Sequence, residues 1–153
     1  MRRQLIRIGF GIVALTVVSV GLVFLRNYQM SDATLKFKEG SGVVAVRKLK
    51  PLGYLGDKTA QFLLGNAYAF GWSGVQKSDA DAIYWFRRIG SFGPVVVENN
   101  VDPAAPYELA VAVAYARGEE GVKIDSVESL KWLKLAAKGG SKEAADMITQ
   151  LQH

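Results

Sequence analysis

An internal repeat constrains the fold of this chain more than any other feature of its sequence. When the sequence is shifted by 47 residues against itself, eight identical residues fall within a window of 34 positions. The most informative matched positions are Tyr68, Gly71, Gly74, Val75 and Trp85 in the first copy, and Tyr115, Gly118, Gly121, Val122 and Trp132 in the second. The chain therefore contains two copies of one unit. Such units are expected to stack, because each needs a neighbour to bury its apolar face.

Each copy is predicted to be a helical hairpin. Apolar residues at helical spacing precede the matched glycines, which stop the first helix and let the chain turn. A second helix then begins with a capping-box-like pair, Ser78 with Asp81 in the first copy and Asp125 with Glu128 in the second. A tryptophan in each second helix marks its buried side. The sequence therefore predicts helix pairs rather than strands.

Further helices are predicted on both sides of the two copies, within a repeat domain that spans residues 42–153. A helix interrupted by Pro51 is expected before the first copy, and Ser141 is positioned to cap a last helix. The predicted units are residues 57–93 and 104–140, and the predicted flanking helices are residues 42–56 and 141–152. About six helices are expected in this domain.

An insertion at residues 91–105 separates the copies and lengthens the repeat period. Val95, Val96 and Val97 are compatible with a short extended piece. Asp102 followed by Pro103 is a favourable helix start, because proline is tolerated at the first helical position.

The N-terminal segment is predicted to be a membrane anchor or an uncleaved signal over residues 1–26. Residues 8–25 are 18 uncharged, mostly apolar residues, which as a helix reach about 27 Å and approach the thickness of a bilayer core. A cleaved signal peptide is the alternative, but this run is longer than is usual and lacks a clear cleavage site. Residues 27–41 have no sustained periodicity and are predicted to be a tether.

Orientation and charge follow from the arginines near this segment. Arg2, Arg3 and Arg7 precede the span, so the positive-inside rule favours a single-pass inner-membrane protein with a cytoplasmic N-terminus and a periplasmic repeat domain. When these three and Arg26 are set aside, 15 basic and 14 acidic residues remain, although the whole chain carries +5. The repeat domain lacks the basic excess of a nucleic-acid binder.

The sequence offers little for catalysis or metal binding. It has no cysteine, and its one histidine is His153 at the C-terminus. A nucleophilic triad therefore has no base, and no acidic loop has the spacing of a calcium site. Carboxylate pairs at Asp79/Asp81 and Glu119/Glu120 are explained by helix capping and solvation. We expect no enzymatic activity, no cofactor, no metal and no small-molecule substrate.

The two copies resemble Sel-1-like repeats. In the first copy the matching segments are residues 60–71, 74–75 and 81–86; in the second they are residues 114–122, 132–133 and 136–140. The resemblance covers residues from about 56 to 144 and implies an all-α fold, a short α/α solenoid related to tetratricopeptide arrays. It leaves the tether and the membrane segment unexplained, and the one N-terminal transmembrane helix is predicted from the apolar run alone.

The copies also depart from the family pattern. Ala112 stands where Gly65 does in the first copy, Ser129 stands where Ala82 does, and residues 89–90 replace an expected pair of alanines. These changes predict looser contacts between helices.

Partner-binding residues are sought where the copies differ, because a residue required in both copies is expected to be structural. Arg117, Glu119 and Lys131 replace three aromatic residues of the first copy. Aromatic residues beside arginines are typical of binding hot spots. The candidates are Phe70, Trp72, Tyr84, Arg87 and Arg88. The alternative is that Phe70 or Trp72 packs against the insertion or the membrane surface.

The resemblance implies a non-catalytic protein–protein interaction module, here expected to face the periplasm. Some small exported members of the family resemble immunity proteins, which bind secreted toxic effectors such as phospholipases. The alternative is an envelope adaptor or scaffold protein with a housekeeping partner.

Overall fold

The chain folds into helices joined mostly by short turns. In a computed structural model, residues 2–91 and 101–151 are described, with side chains for residues 17–89 and 101–151. Within these ranges there are seven α-helices, one 3-10 turn and no strand. The helices are α1 (Arg2–Lys38), α2 (Gly42–Tyr54), α3 (Lys58–Phe70), α4 (Asp79–Ser91), α5 (Ala105–Arg117), α6 (Ser126–Lys138) and α7 (Lys142–Gln150), and the 3-10 turn is Trp72–Gly74. The prediction of about six helices after the N-terminal segment is confirmed.

Helices that follow one another in the sequence pack together, from α1 to α4 and from α5 to α7. The hairpins α3–α4 and α5–α6 are the two repeated units. Trp85 and Trp132 are almost completely buried in the second helix of each hairpin. One apolar cluster joins side chains of α3 and α4 to those of α5, α6 and α7, so the two hairpins share a core, as expected for stacked repeats.

The matched glycines end the first helix of each hairpin in the same way. Gly71 and Gly118 have φ values of 69° and 70°, a left-handed conformation that glycine adopts without steric cost. The predicted caps are confirmed: the Ser78 hydroxyl accepts from the N–H of Asp81, and the Asp125 carboxylate accepts from the N–H groups of Val127 and Glu128. Local sequence therefore determines where these helices begin and end.

The replacement of Gly65 by Ala112 is matched by a second replacement in the facing helix. A methyl group at Gly65 would overlap the ring of Phe86 in α4. In the second hairpin the residue equivalent to Phe86 is Leu133, a smaller side chain. Ala112 and Leu133 are at most 1% exposed, so the exchange of both residues leaves this position buried.

The predicted tether differs most from the structure. Residues 27–38 belong to α1, and only residues 39–41 connect α1 to α2. Ala33 is fully buried against α2, and Asp32 forms an ion pair of 2.7 Å with Lys48. The tether prediction failed because this stretch buries only one narrow face, which leaves little periodicity in the sequence.

The predicted membrane span lies within α1. A search of the described residues finds no helix that combines the length and the apolar character needed to cross a bilayer. Residues 8–16, half of the predicted span, lie outside the residues whose side chains are described.

Two smaller predictions also need correction. Pro51 does not interrupt α2, which continues to Tyr54. The helix α5 begins at Ala105 rather than at Pro103, and Asp102 caps the preceding turn by accepting from the N–H of Ala104. The extended piece predicted at residues 95–97 lies outside the described residues.

Candidate functional site: the groove between α3 and α5

The first helices of the two hairpins, α3 and α5, wall a groove of about 400 Å³. We call it the α3–α5 groove. The α3 side is formed by Phe62, Asn66 and Phe70, the α5 side by Pro106, Tyr107, Leu109, Ala110, Val111, Val113 and Ala114, and three glutamates, Glu119, Glu120 and Glu143, complete the lining. The groove exists because equivalent helices of stacked hairpins lie on the same side of the molecule.

Aromatic contacts hold one end of the groove. The ring of Phe62 on α3 lies 6.1 Å from that of Tyr107 on α5. Tyr107 in turn stacks on Phe86 of α4, with ring centroids 5.3 Å apart and ring planes inclined by 11°. Offset stacking of this kind is a favourable arrangement for aromatic pairs. The three rings therefore fix the separation of α3 and α5 at this end.

Hydrogen bonds hold the other end. The hydroxyl of Tyr115 donates to the carbonyl oxygen of Ala69 at 2.8 Å and accepts from Nζ of Lys77 at 2.7 Å. The indole N–H of Trp72 donates to the carbonyl oxygen of Glu120 at 3.2 Å. All three hydrogen bonds join the first repeat to the second. The groove is therefore held at both ends by side chains that cross between the repeats.

Asn66 is the most unusual residue of the lining. It is 7% exposed, yet its side-chain amide makes no hydrogen bond to any residue that the structure describes. Its amide atoms are not among the described side-chain atoms that are both buried and unpaired, so the amide, with two donors and two acceptor sites, remains accessible from the groove. Its equivalent in the second hairpin is Val113, so the fold itself does not require a polar group there. This difference between the copies is the sequence signal that points to Asn66.

The charged side chains of the lining are all acidic. Glu119, Glu120 and Glu143 are exposed at the groove. Arg117 lies 3.7 Å from Glu119 in a solvent-exposed pair, which screens little of the groove's charge because such pairs are weak. Within the described ranges no lysine or arginine lines the groove. From the sequence, helix capping and solvation explain the pair Glu119 and Glu120. The sequence alone does not place these residues near α3.

Phe70 and Trp72 were predicted to be exposed binding residues. Phe70 is only 7% exposed and packs its ring 5.8 Å from that of Tyr115, so the prediction of an exposed aromatic is wrong. Trp72 is half-buried and contacts Phe37 of α1, with ring centroids 5.7 Å apart. Among the described residues, Phe70 packs against α5 and Trp72 against α1, and most of the insertion named in the alternative lies outside them.

Tyr84, Arg87 and Arg88 lie on α4 in a different surface hollow. Tyr84 is 44% exposed. Arg87 forms an ion pair of 2.8 Å with Asp102, and the Arg88 guanidinium lies 5.6 Å from the ring of Tyr84. Of the five predicted binding residues, three therefore line this hollow on α4, and Phe70 alone lines the α3–α5 groove.

Glu108 is a buried carboxyl group of α5. It is 3% exposed, and burial raises the pKa of its carboxyl, with a further increase from the charge of Asp102 and a smaller opposing effect of Arg87. Its equivalent in the first hairpin is Gln61, whose side-chain amide donates to the carbonyl oxygen of Gly53 at 2.8 Å. In the described residues no cluster of three or more acidic, histidine or cysteine side chains could hold a metal ion.

Comparison with protein families decides what the hairpins are. The model of the Sel1 repeat matches residues 58–90 and 103–141. These two segments are similar to Sel1 repeats. The two matches coincide with α3–α4 and α5–α6 and confirm the resemblance identified from the sequence. The comparison with curated proteins and the comparison with solved structures give no match.

Sel1 repeats are in general protein–protein interaction modules. As a family they are non-catalytic scaffolds, and they indicate a protein partner.

Proposed function

We propose that this chain is a non-catalytic binding protein that takes a segment of another protein into the α3–α5 groove. The observation that carries the proposal is Asn66, a residue only 7% exposed that lines the groove and whose amide forms no hydrogen bond with a described residue. Binding clefts combine apolar walls with a few polar groups. A partner in the groove would find the donors and acceptors of this amide open to it.

The α4 surface is the weaker candidate for the same role. Its two arginines are already engaged, Arg87 with Asp102 and Arg88 with aromatic rings. A partner that used these side chains would first have to displace those contacts. Binding in the groove has no comparable cost, because the side chains of Asn66, Glu120 and Glu143 form no hydrogen bond or ion pair within the described part of the chain.

A photocross-linking experiment tests the proposal. The photoreactive residue p-benzoylphenylalanine is placed in the full chain at Ala110, which lines the groove, or at Ala116, which does not. Both are exposed alanines of α5, so the two substitutions are matched. We expect one dominant cross-linked protein from position 110 and none from position 116. Cross-linking from position 116 alone would contradict the proposal.

The location of the protein is a further part of the proposal. We propose that residues 8–25 anchor it in an inner membrane, with the N-terminus in the cytoplasm and the repeats in the periplasm. The uncharged run in the sequence supports this, as does the exposure of 53–71% at the large apolar side chains from Val17 to Leu25. Because α1 continues from this run to the contact at Ala33, the repeats would be held close to the membrane surface.

Extraction of membranes at alkaline pH tests the anchor. The full chain should stay in the membrane pellet, and the variant Val17→Arg should be released, since a charged side chain at the centre of a span is costly. Release of the unmodified chain would contradict the anchor. Protease added to spheroplasts should then remove the repeats and leave the N-terminus protected.

The biological role that we favour is immunity. In this proposal the partner is a secreted toxic effector, such as a phospholipase, and the groove occludes part of it. The alternative is an adaptor that assembles envelope components. Deletion of the gene distinguishes the two roles, because loss of an immunity protein harms the cell only when the cognate toxin is present. Harm in the absence of any toxin would favour the adaptor.

A further inference from the structure

We infer that the α3–α5 groove selects a partner segment in which basic residues flank an apolar one, and that Asn66 binds the backbone of that segment. The inference rests on the proposed function and adds the chemistry of the partner. The apolar wall, the amide of Asn66 and the negative charges of the lining support it.

The apolar wall accounts for the apolar residue of the segment. Phe62 from α3 and Leu109 and Val113 from α5 line the groove, and Phe62 remains 41% exposed. The volume of about 400 Å³ is at the lower end of the range for ligand clefts. A groove of this size accommodates a few side chains of an extended segment rather than a whole helix face.

The amide of Asn66 accounts for recognition of the backbone. A peptide bond presents one N–H donor and one carbonyl acceptor, and a side-chain amide presents the complementary pair. Because Asn66 is 7% exposed and lines the groove, a peptide bond would reach this amide from within the groove. This contact recognises the backbone of the segment and therefore does not depend on its side chains.

The glutamates account for the basic residues. Glu119, Glu120 and Glu143 are the charged side chains of the lining, and they come from the turn after α5 and from α7. Exposed glutamates in the lining attract basic residues that neighbour the apolar one in the segment. Complementary charges of this kind contribute specificity and faster association, and both effects weaken at high salt.

Labelled peptides test the inference with the full chain in a non-ionic detergent. Three nine-residue peptides share a central Leu-Phe pair and differ in the flanking residues, which are lysines, serines or glutamates. Fluorescence anisotropy measures their affinities. We expect the lysine peptide to bind about tenfold more tightly than the serine peptide, the glutamate peptide to bind most weakly, and the differences to shrink in about 0.5 M salt.

Variants separate the two contacts. Glu120→Gln combined with Glu143→Gln should weaken the lysine peptide and leave the serine peptide unchanged. Asn66→Leu should weaken all three peptides by a similar factor. Asp146→Asn is the matched control, because Asp146 is an exposed acidic residue of α7 that does not line the groove. Equal affinities of the lysine and glutamate peptides would overturn the inference.

The failure of this inference is distinguishable from the failure of the proposed function. If Ala110→Arg abolishes binding but the serine or glutamate peptide binds best, the groove is a binding site and the inferred preference for basic residues is wrong. If the lysine peptide binds equally well to Ala110→Arg, it binds elsewhere, and the inference is overturned. Self-association that Ala110→Arg abolishes would identify a second copy of this chain as the occupant and would also overturn it.

Discussion

The hydroxyl of Tyr115 in the second repeat donates a 2.8 Å hydrogen bond to the carbonyl oxygen of Ala69 in the first. Tyr115 is 2% exposed, and Ala69 lies in the last turn of α3, where backbone carbonyls lack partners within the helix. The tyrosine thus completes the end of a helix in the neighbouring repeat. Both repeats have a tyrosine at this position, and in the second repeat its hydroxyl joins the two units.

Removal of this hydroxyl is expected to weaken the junction between the repeats. Tyr115→Phe leaves the carbonyl of Ala69 unpaired and should lower the free energy of unfolding by about 1–2 kcal/mol. Chemical denaturation of the full chain in detergent measures this change. Tyr107→Phe on the same helix is the control, because the Tyr107 hydroxyl has no hydrogen-bond partner in the described residues. Similar losses for both variants would show that the junction does not depend on this bond.

The pair Gly65 and Phe86 predicts a coupled effect of two substitutions. Gly65→Ala places a methyl group against the Phe86 ring and should cost about 1–3 kcal/mol of stability. The double variant with Phe86→Leu reproduces the Ala112 and Leu133 pair of the second repeat. A double-mutant cycle should therefore give a favourable coupling energy of at least about 1 kcal/mol. Additive losses would mean that the two helices do not meet at this point.

Glu108→Gln is expected to stabilise the folded chain at neutral pH. The folded state raises the pKa of Glu108 above its ordinary value of 4.5 because the carboxyl is buried. Stability from the protonated form is therefore fully present below pH 4.5 and is lost as pH rises through the folded value. The amide does not ionise and avoids this loss.

Denaturation of both chains from pH 4 to pH 8 measures the difference. Their difference in stability should grow as pH rises, in favour of Glu108→Gln. A constant difference across this range would show that the carboxyl is not desolvated. The other carboxylates titrate in both chains, so their effect cancels in the difference between the two free energies of unfolding.

Trp72→Glu tests whether this residue packs or binds. Trp72 contacts Phe37 of α1 and Phe70 of α3, so a carboxylate in its place should lower the free energy of unfolding by about 2 kcal/mol. Tyr84→Glu, at an exposed position of α4, should change stability by no more than about 0.5 kcal/mol. An unchanged melting temperature for Trp72→Glu together with loss of partner binding would restore the hypothesis of a recognition residue.

Local sequence predicted most of the fold. The caps at Ser78 and Asp125 and the turns at Gly71 and Gly118 depend on residues close in the chain, and all four were found where predicted. The repeat pattern identified the hairpins because both copies bury a tryptophan at the same position. The extension of α1 was missed, since the contact that stabilises it is made with another helix.

The candidate site could be predicted only in part. Phe70 was expected on the surface, and its burial depends on Tyr115, a residue of the other repeat. Asn66 was missed because the difference between the copies at this position shows that the residue is not required by the repeat, but not that it lines a groove. The glutamates of the groove come from the turn after α5 and from α7, and only the fold places Glu120 and Glu143 in one lining.

The affinity of the full chain for the protein cross-linked through the groove tests the central claim most directly. It is compared between Ala110→Arg, inside the groove, and Ala116→Arg, outside it on the same helix. Our account predicts that Ala110→Arg weakens binding at least about 30-fold, as expected at the centre of an interface, and that Ala116→Arg leaves it unchanged. Equal affinities for the two variants, with both chains folded, would contradict the claim that the α3–α5 groove is the binding site.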